Sequence, residues 1–201
     1  MAEQQIFNAL IEFFEDDGWD FQWIPDSPVL SMGFSGQNGK WLCYAQAREA
    51  EEQLVFYSVL SVNVPPDKRH KIAEFITRVN YGMVIGNFEL DYEDGEMRYK
   101  TSIDIEGTEL VASMIRQLVY ANLVITDRYL AGIMRVIYSD ESPVDVLDSI
   151  ELEDLLNNEF EDVATILFDD DFDDDFDDDD FIDDDFPPLD LPPEIDGGSP
   201  N

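Results

Sequence analysis

Two cationic groupings stand out in a chain that is otherwise strongly acidic. Arg98 and Lys100 lie two residues apart in "MRYKTSID", and on a β-strand that spacing projects both side chains from one face. Lys68, Arg69 and Lys71 cluster in "DKRHKIAEF", with Arg78 two helical turns on. If Ile72, Phe75, Ile76 and Val79 form the buried stripe of that helix, then Lys71, Glu74 and Arg78 share its outward face. One chemistry these residues could perform is anion binding, with Tyr99 or another strand aromatic (Trp41, Tyr44, Tyr57) as a stacking surface. The plainer alternative is a solvated face of i,i+4 ion pairs. The candidate ligand-binding set is therefore Arg98, Lys100, Tyr99, Lys68, Lys71 and Arg78.

Catalytic chemistry finds less support. His70 is the single histidine, so any Ser-His-Asp or Cys-His arrangement would have to use it, yet it lies among charged positions at a helix start. One histidine and one cysteine, Cys43, cannot build a typical zinc site. The aspartate runs lack the glycine and terminal glutamate of a calcium loop. "GFSGQNGKW" fails as a phosphate loop: Gly33 is one residue too far from Gly39, Trp41 replaces the metal-binding hydroxyl, and strand residues follow where a helix is required. The expectation is a binding protein, not an enzyme, with no catalytic residue, metal or resident cofactor. An enzyme using carboxylates that spacing does not single out is the alternative, as is a plain structural or solubilising interaction protein.

Charge is unevenly distributed along the 201 residues. Of the 47 acidic groups, 23 fall in residues 148–201, which carry none of the 11 basic ones, and the net charge is −36. A field of that sign repels nucleic acid and anionic membrane surfaces, so neither is an expected partner. A single cysteine permits no intrachain disulfide, "MAEQQIFNALIEFF" lacks the basic segment of a signal peptide, and no apolar run approaches the ~18 residues of a spanning helix. A cytoplasmic location follows as the expectation.

The elements that would position these residues are legible in outline. Ile6, Phe7, Leu10, Ile11 and Phe14 make a helical stripe over 3–15. Three strand-like runs follow: Val29–Phe34, Lys40–Ala47 and Leu54–Val64, the last apolar on nearly both faces and so central in a sheet. Pro65-Pro66 stops it, Asp67 is placed to cap a helix, and Gly82 is placed to end that helix. Asp94-Gly95 between alternating runs marks a β-hairpin. A long helix over Thr108–Tyr138, bending near Asn122, comes next. Ser142-Pro143-Val144-Asp145 then opens a last helix to about Leu156. The order α-βββ-α-ββ-α-α predicts an α+β fold, an antiparallel sheet packed with helices. A domain over 1–156 precedes a tail over 157–201.

That tail reads "FDDDFDDDFDDDDFIDDDFPP" from Phe168 to Pro188. Its acidity and terminal prolines predict disorder. Solubility explains the aspartates but not Phe168, Phe172, Phe176, Phe181 and Phe186, which suit a segment docking on a basic, apolar-grooved partner. The same segment is also suited to cover the Lys68–Arg78 face of its own chain.

Val79-Asn80-Tyr81-Gly82, Gly86-Asn87-Phe88-Glu89-Leu90, Asp94-Gly95 and Arg98-Tyr99, leading to a long helix near Thr108, resemble the YbjN family. With the N-terminal helix and strands, the resemblance covers about residues 3–147. It implies the fold of type III secretion chaperones and a non-enzymatic regulatory module that binds a protein or peptide and forms a homodimer. Similar small cyanobacterial proteins imply a second role, a cyclic di-GMP receptor acting on a transcription regulator. The acidic-aromatic tail has no counterpart in the family pattern.

Overall fold

The computed structural model describes residues 4–157, so the tail phenylalanines lie outside the described residues. Helix α1 (Gln5–Asp16) leads into strands β1 (Gln22–Trp23), β2 (Val29–Ser35), β3 (Lys40–Arg48) and β4 (Gln53–Leu60). Helix α2 (Arg69–Gly82), the hairpin β5 (Asn87–Leu90) and β6 (Met97–Asp104), and helices α3 (Ala112–Tyr138) and α4 (Pro143–Asn157) complete the order. The strands form one antiparallel sheet in the order β1-β2-β3-β4-β6-β5. The fold is the expected α+β class, with β4 at the sheet's centre.

Alternation divides the sheet into two faces. Leu30, Met32, Trp41, Cys43, Ala45, Leu54, Phe56, Met97 and Tyr99 point into the main core, where they meet the apolar stripes of all four helices. In α1 that stripe is Ile6, Phe7, Leu10, Phe13 and Phe14, with Phe13 buried in place of the expected Ile11. Val29, Tyr44, Val55 and Tyr57 belong to the opposite face and form a separate apolar cluster with Ile24, Leu42 and Val59.

Several boundaries depart from expectation for local reasons. β4 stops at Leu60, because the chain bends and Val64 instead donates its N–H to the Gly95 carbonyl (2.8 Å). Asp67 does not cap α2: a turn closed by Lys68 N–H on Pro65 O (2.9 Å) leads straight into the helix, and no side chain caps it. Gly82 is the last helical residue and Met83 follows in extended conformation, so α2 ends without a left-handed residue. Strand β1, only two residues long, carries no alternation that a sequence pattern could reveal. Helix α3 begins at Ala112, four residues after the expected Thr108, and runs unbroken through Asn122 to Tyr138. The Ser142–Asp145 capping box forms as expected, with Asp145 N–H donating to Ser142 Oγ (3.1 Å) and Ser142 Oγ donating to Asp145 Oδ2 (2.7 Å).

Candidate functional site

The structure divides the predicted ligand-binding set between two places. Arg98 and Lys100 lie on the sheet face turned away from the helices, opposite Val59 and Tyr57 of β4 and Glu89 and Asn87 of β5. Tyr99 does not join them. It points the other way, fully buried against Phe88, because neighbouring residues of a strand face opposite sides. The aromatic partner is Tyr57, whose ring centre lies 4.7 Å from the Arg98 guanidinium carbon.

The charges on this face are already matched. Arg98 Nε donates to Glu89 Oε2 (2.8 Å), and Lys100 Nζ donates to Glu89 Oε1. Arg98 also approaches Glu96 at 3.8 Å. Burial opposes ionisation of Glu89, but the hydrogen bonds from Lys100 and Arg98 outweigh it and hold its carboxyl below the ordinary value. Two cations facing two carboxylates leave little net field for an incoming anion.

The second place is the start of α2, in the helical layer. Lys68 Nζ donates to Ser139 O (3.0 Å), while Arg69 donates to Val64 O (3.2 Å) and Tyr92 O (2.7 Å). These acceptors are neutral carbonyls, so they hold the side chains without cancelling their charge. Among the described residues Lys68, Arg69 and Lys71 form no ion pair with a carboxylate. Arg78 is different, being paired with Glu74 at 2.7 Å. Two exposed tyrosines belong to the segments that accept these hydrogen bonds. Tyr92 is 56% exposed and places its hydroxyl on Arg69 O, and Tyr138 is 68% exposed and immediately precedes Ser139. At the far end of α2, Tyr81 and Val84 are also exposed.

Other residues resolve into structural roles. His70 is exposed at the surface. The "GFSGQNGKW" stretch is the β2–β3 hairpin, and the anion its amides hold is internal: Gln37 N–H and Asn38 N–H donate to the Asp127 carboxylate (3.2 and 2.8 Å). Sequence reading gave Asn122 a bend but no hydrogen-bonding role; it is fully buried in α3. Its Nδ2 group lies 3.2 Å from each of Phe56 O, Tyr99 O and Thr101 Oγ1, tying α3 to the two central strands. An asparagine among apolar helical positions was the available signal. Among the described residues no group of three or more His, Cys, Asp or Glu could hold a metal ion. Within the same residues no helix is long and apolar enough to cross a membrane.

These features define a helix-backed antiparallel sheet with a neutralised cation pair on its open face and, among the described residues, a cation cluster without ion pairs at the start of α2. The chain belongs to the YbjN family, described as "Putative bacterial sensory transduction regulator", whose sequence profile matches residues 7–133. Among solved structures, the chain is similar to "Crystal structure of YbjN, a putative transcription regulator from E. coli", with 12% identity, a TM-score of 0.49, and coverage of 68% of this chain and 92% of that one. It is also similar to "Structure of the HopA1-SchA Chaperone-Effector Complex", with 16% identity, a TM-score of 0.41, and coverage of 63% and 94% respectively. No curated protein matches the chain.

Proposed function

We propose that this chain is a non-catalytic regulator that binds a protein or peptide partner at the corner formed by Lys68, Arg69, Lys71, Tyr92 and Tyr138. One observation carries the reading: among the described residues Lys68, Arg69 and Lys71 form no ion pair with a carboxylate, and the segments that hold Arg69 and Lys68 carry the exposed Tyr92 and Tyr138, in a molecule of net charge −36. Charge steers association, and exposed aromatic rings supply the area that holds a complex once formed. The matching partner segment is acidic and carries aromatic side chains. The family's description as a sensory transduction regulator fits a partner that is itself a regulator of transcription.

Affinity capture with the full chain tests this reading. Partners held by the wild type should be lost by Lys68→Glu/Lys71→Glu and retained by Arg98→Ala. Capture indifferent to the corner would overturn the proposal.

Cyclic di-GMP is a second reading, favoured by the placement of Arg98, Lys100 and Tyr57 on one face. Phosphate would have to displace Glu89 from both cations, which weakens the site. Calorimetry with the nucleotide decides: heat of binding abolished by Arg98→Ala supports this reading, and no heat ends it. Light scattering of the same samples tests the homodimer.

A further inference from the structure

The unmatched corner of α2 faces a question of occupancy, because the same chain contains a segment of complementary chemistry. Residues 158–201 hold 19 acidic groups and no Lys or Arg, and five phenylalanines recur every four or five residues from Phe168 to Phe186. We propose that Phe168–Phe186 seats on the Lys68–Arg69–Lys71 corner between Tyr92 and Tyr138, as a self-ligand that a partner's segment must displace. The proposal rests on the corner being the partner-binding surface.

Charge complementarity selects this surface over the other cationic one. At Arg98 and Lys100 an arriving aspartate meets Glu89 already in place, whereas among the described residues Lys68 and Arg69 bond to carbonyls and pair with none of the nearby acids Asp67, Asp91, Glu93 and Asp140. The ring-bearing character of the segment matches as well. Aspartates alone would need only cations, while for the phenylalanines the segments that hold Arg69 and Lys68 carry the exposed Tyr92 and Tyr138.

Chain geometry permits the contact. Helix α4 begins at Pro143, shortly after Ser139, whose carbonyl holds Lys68, so the helix starts beside the corner. It then passes Gly132, where Val146, Ile150 and the α2 residue Phe75 converge. Its 15 residues extend about 22 Å from that start at the ordinary helical rise. From Asn157 to Phe168 the connecting chain can span up to roughly 36 Å when extended. The segment therefore reaches back to the corner without strain. A tether of this kind presents it at an effective concentration on the order of millimolar, enough to exclude a separate peptide of ordinary affinity.

Amide spectra of the full-length labelled protein test the seat. Replacing Phe168, Phe172, Phe176, Phe181 and Phe186 by serine keeps the charge and should shift the signals of Lys68–Lys71, Tyr92 and Ser139, leaving those of Arg98 and Lys100 in place. A synthetic peptide of residues 165–188, added in trans, should then bind this serine variant at the corner at least about tenfold more tightly than it binds the wild type. Equal binding to both proteins would overturn the self-ligand while leaving the partner surface standing. No binding to either would overturn both. A serine variant with the wild-type spectrum, or shifts located elsewhere, would overturn the seat. Shifts that depend on protein concentration would overturn the intramolecular form and assign the segment to a second copy.

Discussion

Replacing Asn122 by alanine withdraws one amide group from two carbonyls and a hydroxyl at the centre of the core. Buried acceptors that lose a donor are not rehydrated, so the variant should lose about 1–3 kcal/mol, read from urea midpoints. Cys43 tests the integrity of the same core. Burial raises its thiol, against the lowering effect of its hydrogen bonds with Ser58 and Trp41, to about 12. An aromatic disulfide reagent at pH 8 should therefore leave the native protein unmodified and titrate the thiol only in denaturant; rapid native reaction would contradict the burial. Glu89 makes the pH prediction. Its carboxyl is held below the ordinary value in the folded state, so its stabilising contribution is present above the unfolded-state value and is lost as pH falls through the folded one. Wild type should exceed Glu89→Gln in stability at neutral pH, and the gap should close in acid.

At the scale of elements, the β5–β6 hairpin depends on one backbone position. Gly95 has φ +89°, and a Cβ there would lie 2.3 Å from Val64 O. Gly95→Ala adds that clash to a left-handed penalty of roughly 1–2 kcal/mol, so thermal melting should show a loss larger than the penalty alone. This turn was readable from Asp94-Gly95, as were the Ser142–Asp145 cap and the α1 stripe, because each is a signal within a few residues. The candidate site was less legible. Spacing placed Arg98 and Lys100 on one face, and the same alternation sends Tyr99 to the other, but only the β4–β6 register identifies Tyr57 as the facing ring. That register joins Tyr57 to Lys100 across the whole of α2, a pairing no local pattern encodes. The separation of the corner from Arg98 and Lys100 likewise depended on which face of the sheet receives the helices.

For the whole molecule, the net charge sets a field that local contacts must oppose. Residues 1–157 hold 28 of the 47 acidic groups and all 11 basic ones, a net −17 that repels itself in the compact state, and salt screens that repulsion over about 10 Å at 0.1 M. Added sodium chloride should raise the melting temperature from its low-salt value. A fall on adding salt would mean that the ion pairs at Glu89, Arg116 and Arg135 contribute more than the overall field costs. The sheet also limits its own aggregation. Its edge strands β1 and β5 are only two and four residues long, offering little backbone for another sheet to pair with.

The insertion of β6 between β4 and β5 has a consequence for how the chain is made. A ribosome delivers residues in order, at about 5–20 per second. By Leu60 the β2–β4 meander can close, but its central edge waits for Met97–Asp104 and its apolar face for α3. For several seconds of translation Phe56 therefore lacks the Asn122 tie, and Leu54 has no Ile103 beside it. Until Met97 emerges, only α1 and α2 are there to cover the apolar face of the meander. The chain's most acidic stretch arrives only after the fold has the residues to close over that surface.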